Sequence, residues 1–234
     1  VLPDKLKSDM RRAAKHLLGA ESVSVYTHID ADGITSGAIA SMTLDRLGIP
    51  HEVHFEKKIT DDTIARVNAD GAEIVWICDL GSGSLSRFTK DRMVITDHHV
   101  PDPEYRRHQT SIFDYSDIDH LNPHVYGVDG STQISGAGMT YLLSRTMDGA
   151  NVDLAYIAVV GALGDFQDEM NSKLVGWNSI LVSDAVANGD VMVENDLRFF
   201  GREGRSLSQF IQYGGDGIFP GLSNDRDACD ALIA

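Results

Sequence analysis

Short apolar segments alternate with helix-like segments through the first half of the chain. The apolar segments have the length of β-strands, and the segments between them show the spacing of amphipathic helices. Strands that alternate with helices form parallel sheets whose two faces are both covered. The sequence therefore predicts an α/β fold with a Rossmann-like, doubly wound parallel sheet of about five strands, followed by a helical segment. The predicted strands are residues 22–28, 51–56, 73–78, 93–96 and 110–113, and the predicted helices of this half are residues 4–18, 35–47, 61–69 and 85–90.

The pattern changes after Asp114, where a polar segment interrupts the alternation and helix-like spacing then dominates. We expect residues 1–190 to form the catalytic domain, and residues 191–234 to be a linker and the start of a following domain. The apolar ending of the chain resembles a helix cut within its length, so a carboxyl-terminal domain is expected to be absent. The predicted segments after Asp114 are a loop at residues 114–131, helices at residues 136–147, 152–163 and 173–188, and a helix starting at Arg226.

Composition limits the location and the partners of the chain. No segment approaches the roughly 20 consecutive apolar residues that cross a bilayer, and residues 1–18 lack the apolar core of a secretory signal. We therefore predict a cytoplasmic protein with no membrane partner. Cys78 and Cys229 lie too far apart in sequence for a zinc-binding cysteine motif.

The net charge of −15 argues against a broad basic surface for nucleic acid. Bound cations reverse the local field, however, so an acidic metal site remains compatible with a phosphate substrate. Single basic side chains are more often solvated surface than phosphate ligands. The candidates for backbone contact are Arg87, Lys90, Arg106, Arg107, His108, Arg202 and Arg205.

Acidic residues and histidines follow three of the predicted strands. The first strand ends in His28-Ile29-Asp30-Ala31-Asp32-Gly33, the third is followed by Asp79, and the fourth by Asp97-His98-His99. Ligands bind at the carboxyl ends of parallel strands, at the point where the strand order reverses. Each cluster alone is more typical of a turn or of surface polarity, but three clusters at three strand ends favour a metal site.

The chemistry of these side chains indicates the kind of metal. Mixed carboxylate and imidazole ligands suit Mn²⁺, with Mg²⁺ or Co²⁺ as alternatives. Two such ions, roughly 3.5–4 Å apart, activate a water and stabilise charge on a phosphoryl group. Because His28, Asp30 and Asp32 are two residues apart, we expect an extended segment in which all three point the same way, with a turn at Gly33.

The combination of these clusters resembles the DHH phosphoesterase superfamily, and Gly164-Asp165 is similar to its fourth motif. The resemblance covers about residues 20–190. It implies that His28 and Asp30 bind one metal, that Asp32, His98 and Asp165 bind a second, and that Asp79 bridges both. It also implies that His99 faces the substrate phosphate and that Asp97 orients the site. Without the resemblance, the sequence does not separate Asp165 from Asp168.

Two further segments, Asn122-Pro123 and residues 135–141, resemble those of RecJ-like exonucleases. The segment Phe219-Pro220-Gly221-Leu222, followed by Asp227-Ala228-Cys229, resembles archaeal RecJ-like proteins in particular. Ser135 fits the cap of a helix whose free amides face an anion, although a plain capped helix explains the same residues equally well. The candidate phosphate-binding residues are Ser135, Gly136, Ala137 and Gly138.

The resemblance implies a metal-dependent exonuclease that removes nucleotides from single-stranded DNA or RNA, in DNA repair or replication. One alternative is an oligoribonucleotide or cyclic-dinucleotide phosphodiesterase, or a pyrophosphatase, on the same site. A second alternative is a scaffold protein bound to the GINS replication complex. GINS is a candidate partner whether the chain is an exonuclease or a scaffold. Complete metal ligands favour catalysis over a purely structural role.

Overall fold

The computed structural model describes residues 1–103, 118–168, 172–195, 204–213 and 218–234. It divides into two compact units, Val1–Met192 and Val193–Ala234. The first unit contains a five-stranded sheet in the order β2-β1-β3-β4-β5, and every neighbouring pair is parallel. The predicted α/β fold with a doubly wound parallel sheet is therefore confirmed. The strands are β1 Val23–His28, β2 His51–Glu56, β3 Ile74–Cys78, β4 Met93–Thr96 and β5 Ile118–Leu121.

Helices cover both faces of this sheet. Among the described residues, three short 3-10 helices lie between the longer elements, at Ser82–Arg87, Pro123–Tyr126 and Gly149–Leu154. The α-helices described in the first unit are α1 Asp4–Leu18, α2 Ala31–Arg46, α3 Asp61–Asn68, α4 Gly136–Met147, α5 Ala155–Gly164 and α6 Asn178–Asn188.

The central strand β3 shows how the two faces are filled. All five of its residues are buried, and alternate side chains point to opposite faces. Trp76 belongs to the larger core, which also contains residues of α1, α2, α4, α5 and α6. Ile77 belongs to the smaller core, with residues of α3 and the 3-10 helix Ser82–Arg87. Burial on both faces explains why this strand is a continuous apolar run rather than an alternating one.

Helix α2 begins four residues earlier than predicted, at Ala31 instead of Thr35. The side chain of Asp30 accepts a hydrogen bond from the Gly33 amide at 2.8 Å, which caps the helix. Asp32 therefore lies in the first helical turn, and the prediction of one extended segment through Asp32 was wrong. The helix rotates Asp32 toward the interior, where its side chain is 2% exposed.

The fifth described strand lies within the segment 114–131, which was predicted to be a loop, so that prediction was wrong. The strand is polar because its side chains pair with other elements. Asp119 accepts a hydrogen bond from Arg12 at 2.6 Å and lies 2.7 Å from the ring of His16, both on α1. The strand predicted at residues 110–113 lies outside the described residues.

The remaining elements differ from prediction mainly at their ends. The predicted helix at residues 85–90 is instead the 3-10 helix Ser82–Arg87. Helix α6 starts at Asn178 rather than at Lys173, and α5 starts at Ala155 after its own 3-10 turn.

The second unit contains the short helices α7 Leu207–Tyr213 and α8 Arg226–Ile233. Asp225 caps α8 by accepting a hydrogen bond from the Ala228 amide at 3.0 Å. The assignment of this unit to the start of a following domain stays a prediction. Among the described residues of the whole chain, no helix has the length and apolarity needed to cross a membrane.

Candidate metal centre

The acidic residues and histidines converge where β1, β3 and β4 end. Strands β1 and β3 are neighbours although β2 lies between them in sequence, so the strand order reverses at this point. In the part of the chain that the structure describes, three groups of side chains there bring ligand atoms within 4.8 Å of one another. The groups are His28, Asp30 and Asp79; then Asp32, His98 and Asp165; and finally Asp79, Asp97, His98 and His99.

The first group is held by backbone groups that follow β1 and β2. The ring Nε2 of His28 lies 3.0 Å from the carbonyl oxygen of Lys57, so it must be the donor. The other ring nitrogen, Nδ1, lies 2.7 Å from Asp30 Oδ2. The other oxygen of Asp30 caps α2, which leaves Oδ2 directed at the site.

The second group is held by the amino terminus of α4 and the end of α5. Both oxygens of Asp32 accept backbone hydrogen bonds, from Gly136 at 2.7 Å and from Ala137 at 3.0 Å. Nε2 of His98 lies 3.7 Å from Asp32 and 3.8 Å from Asp165. Asp165 directly follows α5 and belongs to this group, whereas Asp168 belongs to none of the three ligand groups. The structure therefore distinguishes Asp165 from Asp168 as the candidate ligand.

Asp79 lies between these two groups. It is buried, and neither of its carboxylate oxygens has a hydrogen-bond partner within the described part of the chain. Burial, together with the charges of Asp32, Asp97 and Asp30, raises the pKa of Asp79 well above its ordinary value. A buried carboxylate among other acids is costly unless a cation neutralises it. The donor set therefore fits divalent metal ions.

Backbone geometry at Asp79 is also unusual. Its φ angle is +60°, in the left-handed region that side chains other than glycine rarely adopt. The opposing residue, Gly136, leaves space for the carboxylate, because a Cβ atom there would lie 2.4 Å from Asp79 Oδ1. Strain and close approach at one residue are typical of functional sites.

Asp97 holds His98 and His99 in place through hydrogen bonds. Its Oδ1 accepts hydrogen bonds from the His98 amide at 2.7 Å and from His99 Nδ1 at 2.8 Å, and Oδ2 accepts from the Ser82 amide at 2.9 Å. Burial alone would raise the pKa of Asp97. The hydrogen bond from His99 and the charges of His98 and His99 outweigh burial and hold this pKa well below its ordinary value. Its oxygens are occupied, whereas the side chain of His99 is 55% exposed.

The amino terminus of α4 was predicted to bind substrate phosphate. In the structure its amides already have protein acceptors, since Gly136 and Ala137 donate to Asp32, and Gly138 donates to Ser135 Oγ at 3.1 Å. These contacts support the capped-helix alternative and add a role that sequence reasoning missed, which is to orient Asp32. Phosphate binding by Ser135, Gly136, Ala137 and Gly138 stays an untested prediction.

Sequence reasoning also missed Gln167, which donates a hydrogen bond to Asp165 Oδ2 at 2.8 Å. Its position two residues after Asp165 is the one signal that could have suggested it. Among the predicted basic contacts, Arg87 pairs with Asp61, and Lys90 donates to the carbonyl oxygens of Asp70 and Ala72. Arg205 is exposed. The other candidates, Arg106, Arg107, His108 and Arg202, lie outside the described residues.

Comparisons with known proteins identify the family and the fold. The sequence profile of the DHH family, N-terminal domain, matches residues 22–162. An uncharacterized protein of Methanocaldococcus jannaschii is 32% identical over 181 residues, which cover 75% of this chain and 39% of that protein.

Two solved structures share the fold. Exonuclease RecJ bound to manganese is 21% identical, with a TM-score of 0.56 over 76% of this chain and 47% of that one. RecJ from Thermus thermophilus in complex with Mn²⁺ is 22% identical, with a TM-score of 0.56 over 80% of this chain and 27% of that one. The chain thus spans less than half the length of each of these three relatives.

Proposed function

The chain belongs to the DHH family, and we propose on this premise that it is a metal-dependent, RecJ-like exonuclease acting on single-stranded DNA or RNA. The family and the shared architecture support a phosphoesterase fold like that of RecJ. The observation that supports metal-dependent hydrolysis is the position of Asp79. Two buried oxygens without hydrogen-bond partners in the described structure lie between two groups of metal-ligating side chains.

We assign the side chains to two metal ions by these groups. His28, Asp30 and Asp79 would hold one ion, and the second would be held by Asp32, His98 and Asp165, with Asp79 shared. Two bound ions would activate a water and neutralise charge on the scissile phosphoryl group. Mn²⁺ is the proposed metal, because the ligands mix imidazole and carboxylate, and the two RecJ structures contain manganese.

The residues beside the metal ligands would act on the substrate. Hydrogen bonding to Asp97 raises the pKa of His99, so the exposed ring tends to carry a proton. Because Nδ1 donates to Asp97, the remaining Nε2–H is directed away from it and can donate to a phosphate oxygen. Asp97 would hold the ring in that orientation.

An end-labelled substrate assay tests the proposal. The chain is incubated with Mn²⁺ and single-stranded DNA, single-stranded RNA or a dinucleotide, with Asp79→Asn as the control variant. Release of mononucleotides from the longer substrates, lost in Asp79→Asn, supports an exonuclease. Hydrolysis of the dinucleotide alone would replace this proposal with the small-substrate alternative, and hydrolysis of none of them would contradict it.

A further inference from the structure

Two buried amides form a network beside the group of Asp32, His98 and Asp165. Gln167 is 2% exposed. Its side-chain nitrogen lies 2.8 Å from the carbonyl oxygen of Gly130 and 2.8 Å from Asp165 Oδ2. These are the two shortest contacts of the amide nitrogen, which has two hydrogens to donate; the Ile134 carbonyl oxygen and His98 Nδ1 lie farther away, at 3.3 Å and 3.4 Å. One proposed metal ligand is therefore held directly by Gln167.

Gly130 connects the same amide to His98. Its carbonyl oxygen lies 2.8 Å from Nδ1 of His98, so it accepts hydrogen bonds from both side chains. Since a carbonyl cannot donate, Nδ1 carries the hydrogen, and Nε2 of the neutral ring keeps its lone pair for a metal. Gln167 thus helps to hold the oxygen that sets the tautomer and direction of His98.

Asn178, the first residue of α6, fixes the orientation of Gln167. It is fully buried, and its side-chain nitrogen donates to Gln167 Oε1 at 2.6 Å. A flipped Gln167 amide would place its oxygen against the Asp165 carboxylate and its nitrogen against the nitrogen of Asn178. The contact from Asn178 therefore selects the orientation that supports Asp165.

We propose that Gln167 is a positioning residue for the metal site of Asp32, His98 and Asp165, and that Asn178 sets its orientation. The inference rests on the proposed function, because it takes these three side chains to be metal ligands. Within the described part of the chain, neither amide is hydrogen-bonded to His28 or Asp30. The effect of removing either amide should therefore fall on one metal site and spare the other.

Calorimetric titration with Mn²⁺ tests this on the unchanged chain, on Gln167→Met and on Asn178→Leu. We expect two Mn²⁺ ions per unchanged chain. Both variants should keep one site and bind the second ion about 10- to 100-fold more weakly, which is the usual effect of losing an outer-shell partner. The matched control is Asn151→Leu, since Asn151 is also a fully buried amide and donates to the Ser144 carbonyl at 3.1 Å. It should lower the melting temperature without changing either Mn²⁺ affinity.

Unchanged affinity of both sites in a folded Gln167→Met chain would overturn the inference. If that variant does not fold, Gln167→Glu has nearly the same shape but lacks the amide donors, and the same two outcomes apply to it. An unchanged chain that binds no Mn²⁺ would refute the proposed function itself.

Discussion

Nε2 of His98 lies 3.3 Å from Oδ1 of Asp79. Because Nδ1 of this ring donates to the Gly130 carbonyl, Nε2 of a neutral His98 carries a lone pair close to a buried carboxylate. Two electron-rich atoms at this distance repel each other unless a proton or a metal ion lies between them. The pair is therefore stable in a protonated state or in a metal-bound state, and the two states compete.

This competition predicts a pH dependence of stability without metal. Burial lowers the pKa of His98, but the charges of Asp32, Asp97 and Asp165 outweigh burial and raise it above the ordinary 6.5. A group whose pKa is raised on folding stabilises the folded state while it is protonated. For His98 this stabilisation is complete below pH 6.5 and is lost as pH rises through the pKa of the folded state. Asp79, whose pKa is raised above 3.8, also loses its stabilising contribution as pH rises. In EDTA, the melting temperature should therefore fall between about pH 6 and about pH 8.

Excess Mn²⁺ should reduce this fall, because the metal replaces the proton. Thermal unfolding followed by circular dichroism, at both pH values with and without Mn²⁺, measures the effect. A metal-free melting temperature that rises over this range would contradict the protonated pair.

Asp79→Asn should separate stability from function. The amide removes a buried charge that lies among Asp30, Asp32 and Asp97. At about pH 8 in EDTA, where the protonated pair with His98 has lost its stabilising effect, the melting temperature should therefore stay level or rise. Mn²⁺-dependent hydrolysis should be abolished, because Asp79 would contact both ions. Near-normal turnover in a folded Asp79→Asn chain would refute the bridging assignment.

His98 and His99 are predicted to differ in metal binding. His98→Ala should remove one Mn²⁺ per chain, because its Nε2 faces three carboxylates. His99→Ala should keep both ions and lose rate, because its ring donates to Asp97 and is exposed on the other side. Calorimetry on both variants gives the stoichiometry, and the loss of one ion in His99→Ala would mean that the two roles are exchanged.

Gly136→Ala should disturb the site by steric overlap alone, because it changes no charge. The added Cβ would lie 2.4 Å from Asp79 Oδ1, so the carboxylate or helix α4 must shift, at a cost of about 1–3 kcal/mol. Gly149→Ala is the matched control, because nothing lies within 4 Å of its Cβ position. Denaturant unfolding and Mn²⁺ titration should show weaker binding and lower stability in Gly136→Ala only. Equal behaviour of the two variants would show that Asp79 does not need the space at Gly136.

The sheet could be predicted from the sequence because burial on both faces produces continuous apolar runs. Strand β3 is the clearest case, since all its residues are buried. Strand β5 could not be predicted, because its buried Asp119 is stabilised by Arg12 and His16, which lie more than 100 positions away. Long-range ion pairs leave no local pattern in a sequence.

In the metal centre, too, the ligands that follow a local sequence pattern could be predicted, whereas residues defined by long-range contacts could not. The strand-end position of Asp79 and the Asp97-His98-His99 segment indicated the site, because strand ends meet at one edge of a parallel sheet. The residues that hold those ligands, such as Gln167 and Gly136, were missed or assigned otherwise. Their contacts depend on how α4 and α5 pack over the sheet, which spacing does not reveal.

Two metal ions are proposed to lie between the ends of β1, β3 and β4. Anomalous diffraction at the manganese edge, from crystals of the chain soaked in Mn²⁺, tests this proposal most directly. We expect two peaks about 3.5–4 Å apart, one against His28 and Asp30, the other against Asp32, His98 and Asp165, with Asp79 contacting both. A single peak, or peaks that leave Asp79 uncoordinated, would contradict it.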